Sequence, residues 1–176
     1  NPITFDTGVK TTMTGDEGKG IYVIGGYQSP EDTVDTSLDS HITIKSGTFY
    51  IVAGGTRQKG SGAVGGIIYT GTHNIEVSGG KIERLYGGSI QHQVATRTNI
   101  TVSGGEINEL YAAGDMTRRL EDSATIVLSG GKVNSLNVNN VIGAADVTLA
   151  GAEVGTATVS YYNEALEKSA TTATKP

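Results

Sequence analysis

Two tyrosines stand at equivalent places in neighbouring stretches of the chain. Tyr86 directly follows Leu85, and Tyr111 directly follows Leu110. An aromatic ring presents an apolar face and, in tyrosine, a polar tip, and this combination suits the face and the hydroxyl groups of a sugar ring. If the two stretches stack on each other, the rings form a platform for a carbohydrate. The alternative interpretation is that the rings only shield a corner of the fold.

Three segments rich in polar residues, 56–62, 89–97 and 115–123, follow pairs of small residues. If each segment leaves the fold at the same place, all three project from one side, and binding residues are often held on such loops by a rigid scaffold. With the two tyrosines, seven side chains from these segments are the predicted ligand-binding residues: Arg57, Lys59, Gln91, His92, Arg97, Arg118 and Arg119. This patch suits an acidic glycan or a partner protein. The alternative is a solvated loop edge without a ligand.

No pattern typical of catalysis or metal binding occurs in the sequence. The carboxylates on predicted strands, Glu76, Glu83, Glu106 and Glu109, are scattered rather than paired, and the histidines fall at different offsets. The acidic stretch 30–39 has oxygen ligands of the kind that Ca²⁺ prefers, but its spacing matches no EF-hand loop, so a solvated loop is favoured. We therefore predict no catalytic residue, no metal site and no cofactor.

An internal repeat defines the elements that position these residues. An apolar–x–apolar unit, a turn of small residues and a further apolar residue recur at 42–49, 75–82, 100–107, 126–133 and 147–154. Counted from the second apolar residue of each unit, the units are 33, 25, 26 and 21 residues apart. These spacings are typical of one coil of a solenoid.

The physical chemistry of one unit predicts its geometry. Alternation with period two directs both apolar residues to one face and the residue between them to solvent. Ser-Gly-Gly then turns the chain, and the next apolar residues line a second wall. We predict an all-β fold, a short parallel β-helix of about five to six rungs, whose first rung uses 13–15 and 21–26. The domain is expected to span 1–168, with a short capping helix at 161–168 and a linker or tail at 169–176.

The segment Ser-Gly-Gly-x-Ile-x-x-Leu-Tyr-Gly-Gly at 78–88 resembles Gly-rich β-helical modules of large secreted or surface proteins from Gram-positive, often gut-dwelling, bacteria. From about residue 9 to 160, the chain is similar to the right-handed parallel β-helices of the pectin-lyase-like superfamily. The resemblance implies a right-handed coil, in line with the general preference of parallel crossovers. It also implies an extracellular or cell-surface location and further domains on either side.

Composition narrows the class of partner. The formal net charge of −5 disfavours nucleic acid and anionic membrane surfaces, and the chain has no apolar run long enough to insert into a bilayer. The chain has no cysteine, so disulfides and thiol catalysis are excluded. The 26 glycines and 3 prolines favour many tight turns between short strands.

Together these observations predict a non-catalytic binding or adhesion module of a larger bacterial surface or secreted protein. Its expected partner is a glycan, as in a carbohydrate-binding module, or a host or bacterial surface protein. A structural spacer or stalk segment is the second interpretation, because a self-similar solenoid supplies length and stiffness. A small polysaccharide lyase or hydrolase is the third, because many right-handed β-helices are such enzymes.

Overall fold

The structure, a computed structural model, is all-β and describes residues 2–9, 20–26, 39–57, 69–90, 94–114, 120, 122–163 and 168–173. These residues contain no helix, and their ten strands form one sheet. The strands are β1 (Pro2–Phe5), β2 (Tyr22–Ile24), β3 (Ser40–Ile44), β4 (Thr48–Ala53), β5 (Tyr69–Tyr86), β6 (Val94–Tyr111), β7 (Ala124–Val138), β8 (Ala145–Leu149), β9 (Glu153–Asn163) and β10 (Lys168–Ala173).

Six repeats of the chain build this sheet. Each repeat contributes a first segment and a second segment. Strands β5, β6 and β7 each run through both segments, whereas β1, β3 and β8 are first segments and β2, β4 and β9 second segments. Among the described residues, all neighbouring repeats pair in parallel, and only β10 pairs antiparallel, with β9. The sheet is open, and its largely parallel stacking is compatible with the predicted solenoid.

The predicted alignment of the repeats is confirmed by the strand register. Five apolar residues pair along successive first segments: Ile42, Ile75, Ile100, Ile126 and Val147. Ile100 and Val102 are fully buried, whereas Thr101 between them is exposed. Apolar residues from first and second segments join one hydrophobic core. Each fully buried aliphatic side chain contributes about 1.5–3 kcal/mol relative to an exposed one.

The glycine pairs after the second segments lie where neighbouring repeats approach closely. A Cβ at Gly54 would overlap the carbonyl oxygen of Gly87 and would lie 2.8 Å from Cβ of His73. A Cβ at Gly87 would overlap the carbonyl oxygen of Ala112 and the methyl group of Thr98. These corners therefore use glycine because no space is left for a side chain.

A column of buried polar residues packs against these glycines. Ser40, His73 and Thr98 pair in register on three neighbouring first segments, and all three are buried. The Ser40 hydroxyl donates to the carbonyl oxygen of Gly54 at 2.7 Å, and its Oγ lies 3.0 Å from Nδ1 of His73. Because the hydroxyl proton points to Gly54, the Nδ1–H group of His73 donates to Oγ. Its Nε2 has no hydrogen-bond partner among the described residues, so a second proton on the buried ring would be unpaired, and burial keeps the ring neutral near pH 7.

Burial lowers the pKa of His73 from its ordinary value of 6.5 to about 4. The unfolded chain takes up this proton below about pH 6.5, and the folded chain resists it until about pH 4. We therefore expect the free energy of unfolding to fall by about 3 kcal/mol as the pH drops through this window. Urea unfolding at a series of pH values measures the effect.

Two variants test the assignment of this pH dependence. His73→Gln removes the buried imidazole and is expected to flatten the drop in stability. His41→Gln changes an exposed histidine beside Glu76 and is expected to leave the drop in place. An unchanged slope in His73→Gln would contradict the assignment.

The ends of the chain differ from the sequence expectation. Residues 164–167 lie outside the described residues, and the helix expected at 161–168 is wrong at its two ends, because 161–163 belong to β9 and residue 168 begins β10. The β-branched residues that precede this stretch favour a strand, and pairing between β9 and β10 satisfies its backbone groups. The first segment of the first repeat is β1, and the predicted 13–15 lie outside the described residues. Most of the expected tail, 169–173, lies in β10.

Candidate functional site

Four of the nine predicted ligand-binding residues lie in the described part of the chain. They are Arg57, Tyr86, Arg97 and Tyr111. The other five lie outside the described residues: Lys59, Gln91, His92, Arg118 and Arg119.

The two predicted tyrosines stack on each other as expected. Tyr86 and Tyr111 pair in register on β5 and β6, and their ring centroids lie 4.9 Å apart with an interplanar angle of 23°. Tyr86 is only 6% exposed, because it also packs with Ile51, Ala53 and Ile90 in a small outer hydrophobic cluster. Tyr111 is partly exposed. Tyr86 therefore shields the outer face of the sheet, and Tyr111 carries the accessible part of the stack.

Two further tyrosines and an arginine that sequence reasoning did not select lie on the same outer cluster. Tyr22 and Tyr50 meet edge to face, with centroids 5.7 Å apart. The guanidinium of Arg57 lies 4.3 Å from the centre of the Tyr22 ring, and that of Arg84 lies 5.8 Å from the centre of the Tyr50 ring. Each guanidinium is close enough to the ring for an attractive cation–π interaction.

We name this group the tyrosine–arginine surface, and it consists of Tyr22, Tyr50, Arg57, Arg84, Glu109 and Tyr111. Its members come from four neighbouring repeats. The register of the second segments brings them together, since Tyr22 pairs with Ile51, Ile51 with Arg84, and Arg84 with Glu109. Alignment of the second segments of the repeats would have predicted from the sequence that these side chains lie close together. The long spacing between the two segments of the first repeat makes that alignment hard to find.

Glu109 links Arg84 to Tyr111 on this surface. Nε of Arg84 donates to Oε2 of Glu109 at 3.1 Å, and the hydroxyl of Tyr111 donates to the same oxygen at 2.9 Å. Burial, and then the hydrogen bond to Glu109, raise the pKa of Tyr111 to about 12. The phenol stays protonated well above neutral pH and holds the carboxylate in place.

This raised pKa makes Tyr111 a measurable probe of the surface. The unfolded phenol releases its proton near pH 10, and the folded one does so near pH 12. The group therefore contributes stability that is complete below about pH 10 and is lost as the pH rises towards about 12. Ultraviolet titration of tyrosinate absorbance should show one late phenol that disappears in Tyr111→Phe. Identical late absorbance in the wild type and in this variant would contradict the assignment.

Arg97 lies elsewhere in the structure. It is on the first segment of β6, in register with Thr72, and its Nη2 lies 3.7 Å from Oδ2 of Asp122. Arg57 follows a second segment and bridges to Ile90. The two described arginines of the predicted basic patch therefore stand on different segments, and Arg57 alone of the two belongs to the tyrosine–arginine surface.

Other polar side chains on the outer face of the second segments pair with one another. Nζ of Lys81 lies 3.2 Å from Oε2 of Glu106, and Nζ of Lys132 lies 3.5 Å from Oε1 of Glu153. Each pair joins two neighbouring repeats. Asn108 donates to Glu83 at 2.9 Å. These exposed pairs add little stability each.

The carboxylates considered for catalysis or metal binding have partners. Glu83, Glu106 and Glu109 contact an amide, a lysine and an arginine respectively. Within the described residues, no group of three or more His, Asp or Glu side chains could hold a metal ion. Of the acidic stretch, only Asp39 is described, and its Oδ1 accepts a hydrogen bond from the backbone amide of Thr72 at 2.7 Å.

No protein family model, curated protein or solved structure matches this chain. Among the described residues, no helix has the length and apolar character needed to cross a membrane.

Proposed function

We propose that this chain is a non-catalytic carbohydrate-binding module of a bacterial surface or secreted protein. Its ligand is a glycan that carries carboxylate groups, and its site is the tyrosine–arginine surface. The observation that carries this proposal is the placement of two guanidinium groups against partly exposed tyrosine rings on one face of the sheet. The scaffold that we propose is a right-handed parallel β-helix of six rungs, which the parallel register of six repeats supports.

The chemistry of the surface favours a sugar with acidic groups. Tyrosine rings offer apolar area to the faces of sugar rings, and their hydroxyl groups offer hydrogen bonds at the edge. A guanidinium that stacks on a ring through its face keeps its edge N–H donors directed outward, and these match a carboxylate in a bidentate manner. Arg57 covers one face of the Tyr22 ring at 4.3 Å, so a sugar unit would contact the guanidinium together with the part of that ring that the guanidinium leaves exposed.

The net charge of −5 does not prevent such binding. At physiological salt, charges more than about 8 Å apart are largely screened from each other. On the tyrosine–arginine surface, Glu109 is paired with Arg84, so Arg57 supplies the net positive charge that a ligand meets at contact distance.

An array of neutral and acidic oligosaccharides, followed by calorimetry with an oligogalacturonate and a neutral cello-oligosaccharide, tests the proposal. We expect saturable binding to acidic oligosaccharides that weakens as salt is added. Arg57→Ala, and Tyr22→Leu, which keeps apolar bulk but removes the ring, should each weaken binding by at least about tenfold.

Arg97→Ala is the matched control, because it removes the same type of side chain from a first segment. It should bind like the wild type. Loss of binding in Arg97→Ala with no effect of Arg57→Ala would place the ligand away from the tyrosine–arginine surface. Absence of binding to every oligosaccharide on the array would overturn the proposed function and favour the stalk interpretation.

A further inference from the structure

The last repeat exposes residues that are buried in every preceding repeat from β3 onward. In the two inner columns of the first segments, Ile126 and Leu128 of β7 are fully buried. The next members of the same columns, Val147 and Leu149 of β8, are 37% and 56% exposed. Their side chains stand in core positions, so their exposure means that nothing among the described residues covers the end of the core.

The backbone at this end is also open. Within the described residues, β8 pairs only with β7, so its second edge presents unpaired amide and carbonyl groups. On the second segments, β10 pairs with β9 only from Val159 onward. An exposed strand edge with apolar residues on its inner face is a template for the addition of another strand.

The opposite end of the sheet carries a strand of matching pattern. Within the described residues, β1 pairs only with β3, and its Ile3 and Phe5 stack on Ile42 and Ile44 of the inner columns. Thr4 between them is exposed. The unit Ile3-Thr4-Phe5 in β1 therefore has the same apolar–threonine–apolar pattern as residues 147–149 in β8.

We propose that copies of this chain associate head to tail, with β1 of one copy adding in parallel to β8 of the next. Ile3 and Phe5 of the second copy would cover Val147 and Leu149, and Thr4 would align with Thr148 on the outer face. The new contact continues the interface that already stacks the six repeats within one chain. It extends the same columns of inner residues by the same parallel pairing. The packing between two copies therefore has the geometry of the packing between neighbouring repeats within one chain.

The symmetry of this contact predicts its product. The two surfaces are different, so the association is heterologous, and each added copy leaves one β1 end and one β8 end open. Because each step continues a stack along its own axis, the expected product is a linear oligomer that grows with concentration. This inference does not depend on the proposed glycan site, which lies on the outer face of the second segments.

Analytical ultracentrifugation of the whole chain over a hundredfold range of concentration measures the association. We expect the mean mass to rise continuously beyond that of a dimer. Leu149→Lys places a charge at the exposed end of the core and should keep the chain monomeric at concentrations where the wild type associates, since association would bury that charge against Phe5 without a partner. Thr148→Lys, on the outer face of the same strand, is the matched control and should still associate. A wild type that stays monomeric throughout overturns the proposal.

A cysteine cross-link tests the register, because the natural chain has no cysteine. A mixture of Thr4→Cys and Thr148→Cys should form a disulfide between the two variants under mild oxidation, as directly paired residues lie within the range that a disulfide spans. Thr4→Cys mixed with Thr125→Cys, which lies on internal strand β7, should cross-link much less. Equal cross-linking in both mixtures, or efficient cross-linking of Thr148→Cys with itself, would overturn the head-to-tail arrangement.

Discussion

Replacement of Ile100 by Asp is expected to abolish the folded state or to lower its free energy of unfolding by more than about 4 kcal/mol. Ile100 lies at the centre of an inner column, fully buried between Ile75 and Ile126 on the neighbouring strands. An aspartate at this position loses the apolar burial of the isoleucine and brings an unpaired carboxylate into the core. Circular dichroism and urea unfolding of the purified variant measure the loss.

The neighbouring residue supplies the control for this experiment. Thr101 is exposed and points away from the core, so the carboxylate in Thr101→Asp is hydrated by solvent. We expect its unfolding free energy to change by less than about 1 kcal/mol. Equal destabilisation by the two substitutions would contradict the alternation of inner and outer residues that defines each strand.

Gly105→Ala is the second change with a large expected effect, a loss of about 3 kcal/mol or more in unfolding free energy. Gly105 has a φ of +84°, which an L-residue with a side chain rarely adopts. Its added Cβ would also lie 2.8 Å from the carbonyl carbon and 2.9 Å from the carbonyl oxygen of Gly79 in the next repeat. Both groups are backbone, so relief of the clash would require neighbouring repeats to move apart.

Gly8→Ala separates these two causes. Gly8 has nearly the same φ, +85°, but nothing lies within 4 Å of the position of its added Cβ. This variant therefore carries only the conformational cost, and we expect a loss of about 1 kcal/mol. Similar losses at Gly8 and Gly105 in urea unfolding would show that close packing between repeats is not what requires glycine in the corner.

Several parts of the fold were predictable because they depend on local chemistry. The alternation around Ile100 and the turn at Gly104 and Gly105 follow from period two and from the conformational freedom of glycine. Because the same unit recurs, its parallel stacking in register could also be expected, and the structure confirms it. In the first repeat, 21–26 were correctly predicted and contain β2, but the first segment β1 was missed, since 16 residues separate Phe5 from Tyr22 and no fixed spacing links them.

The end of the chain was not predictable in the same way. Residues 161–163 carry helix-compatible neighbours such as Glu164, Ala165 and Leu166, and local propensity alone favoured a helix there. Pairing between β9 and β10 makes 161–163 a strand. Tertiary pairing commonly overrides propensity, which amounts to less than about 1 kcal/mol per residue.

For the candidate site, the equivalent positions of Tyr86 and Tyr111 in their repeats were sufficient to predict that the two rings stack. Residues at equivalent positions of neighbouring repeats lie side by side in the sheet. The burial of Tyr86 and the contacts of Tyr22 with Tyr50 and Arg57 emerge only from the three-dimensional arrangement. The physical reason is that a strand pattern specifies which side of the sheet a residue faces. Which side chains then touch depends on the register between repeats joined by loops of unequal length, and on how closely their neighbours cover them.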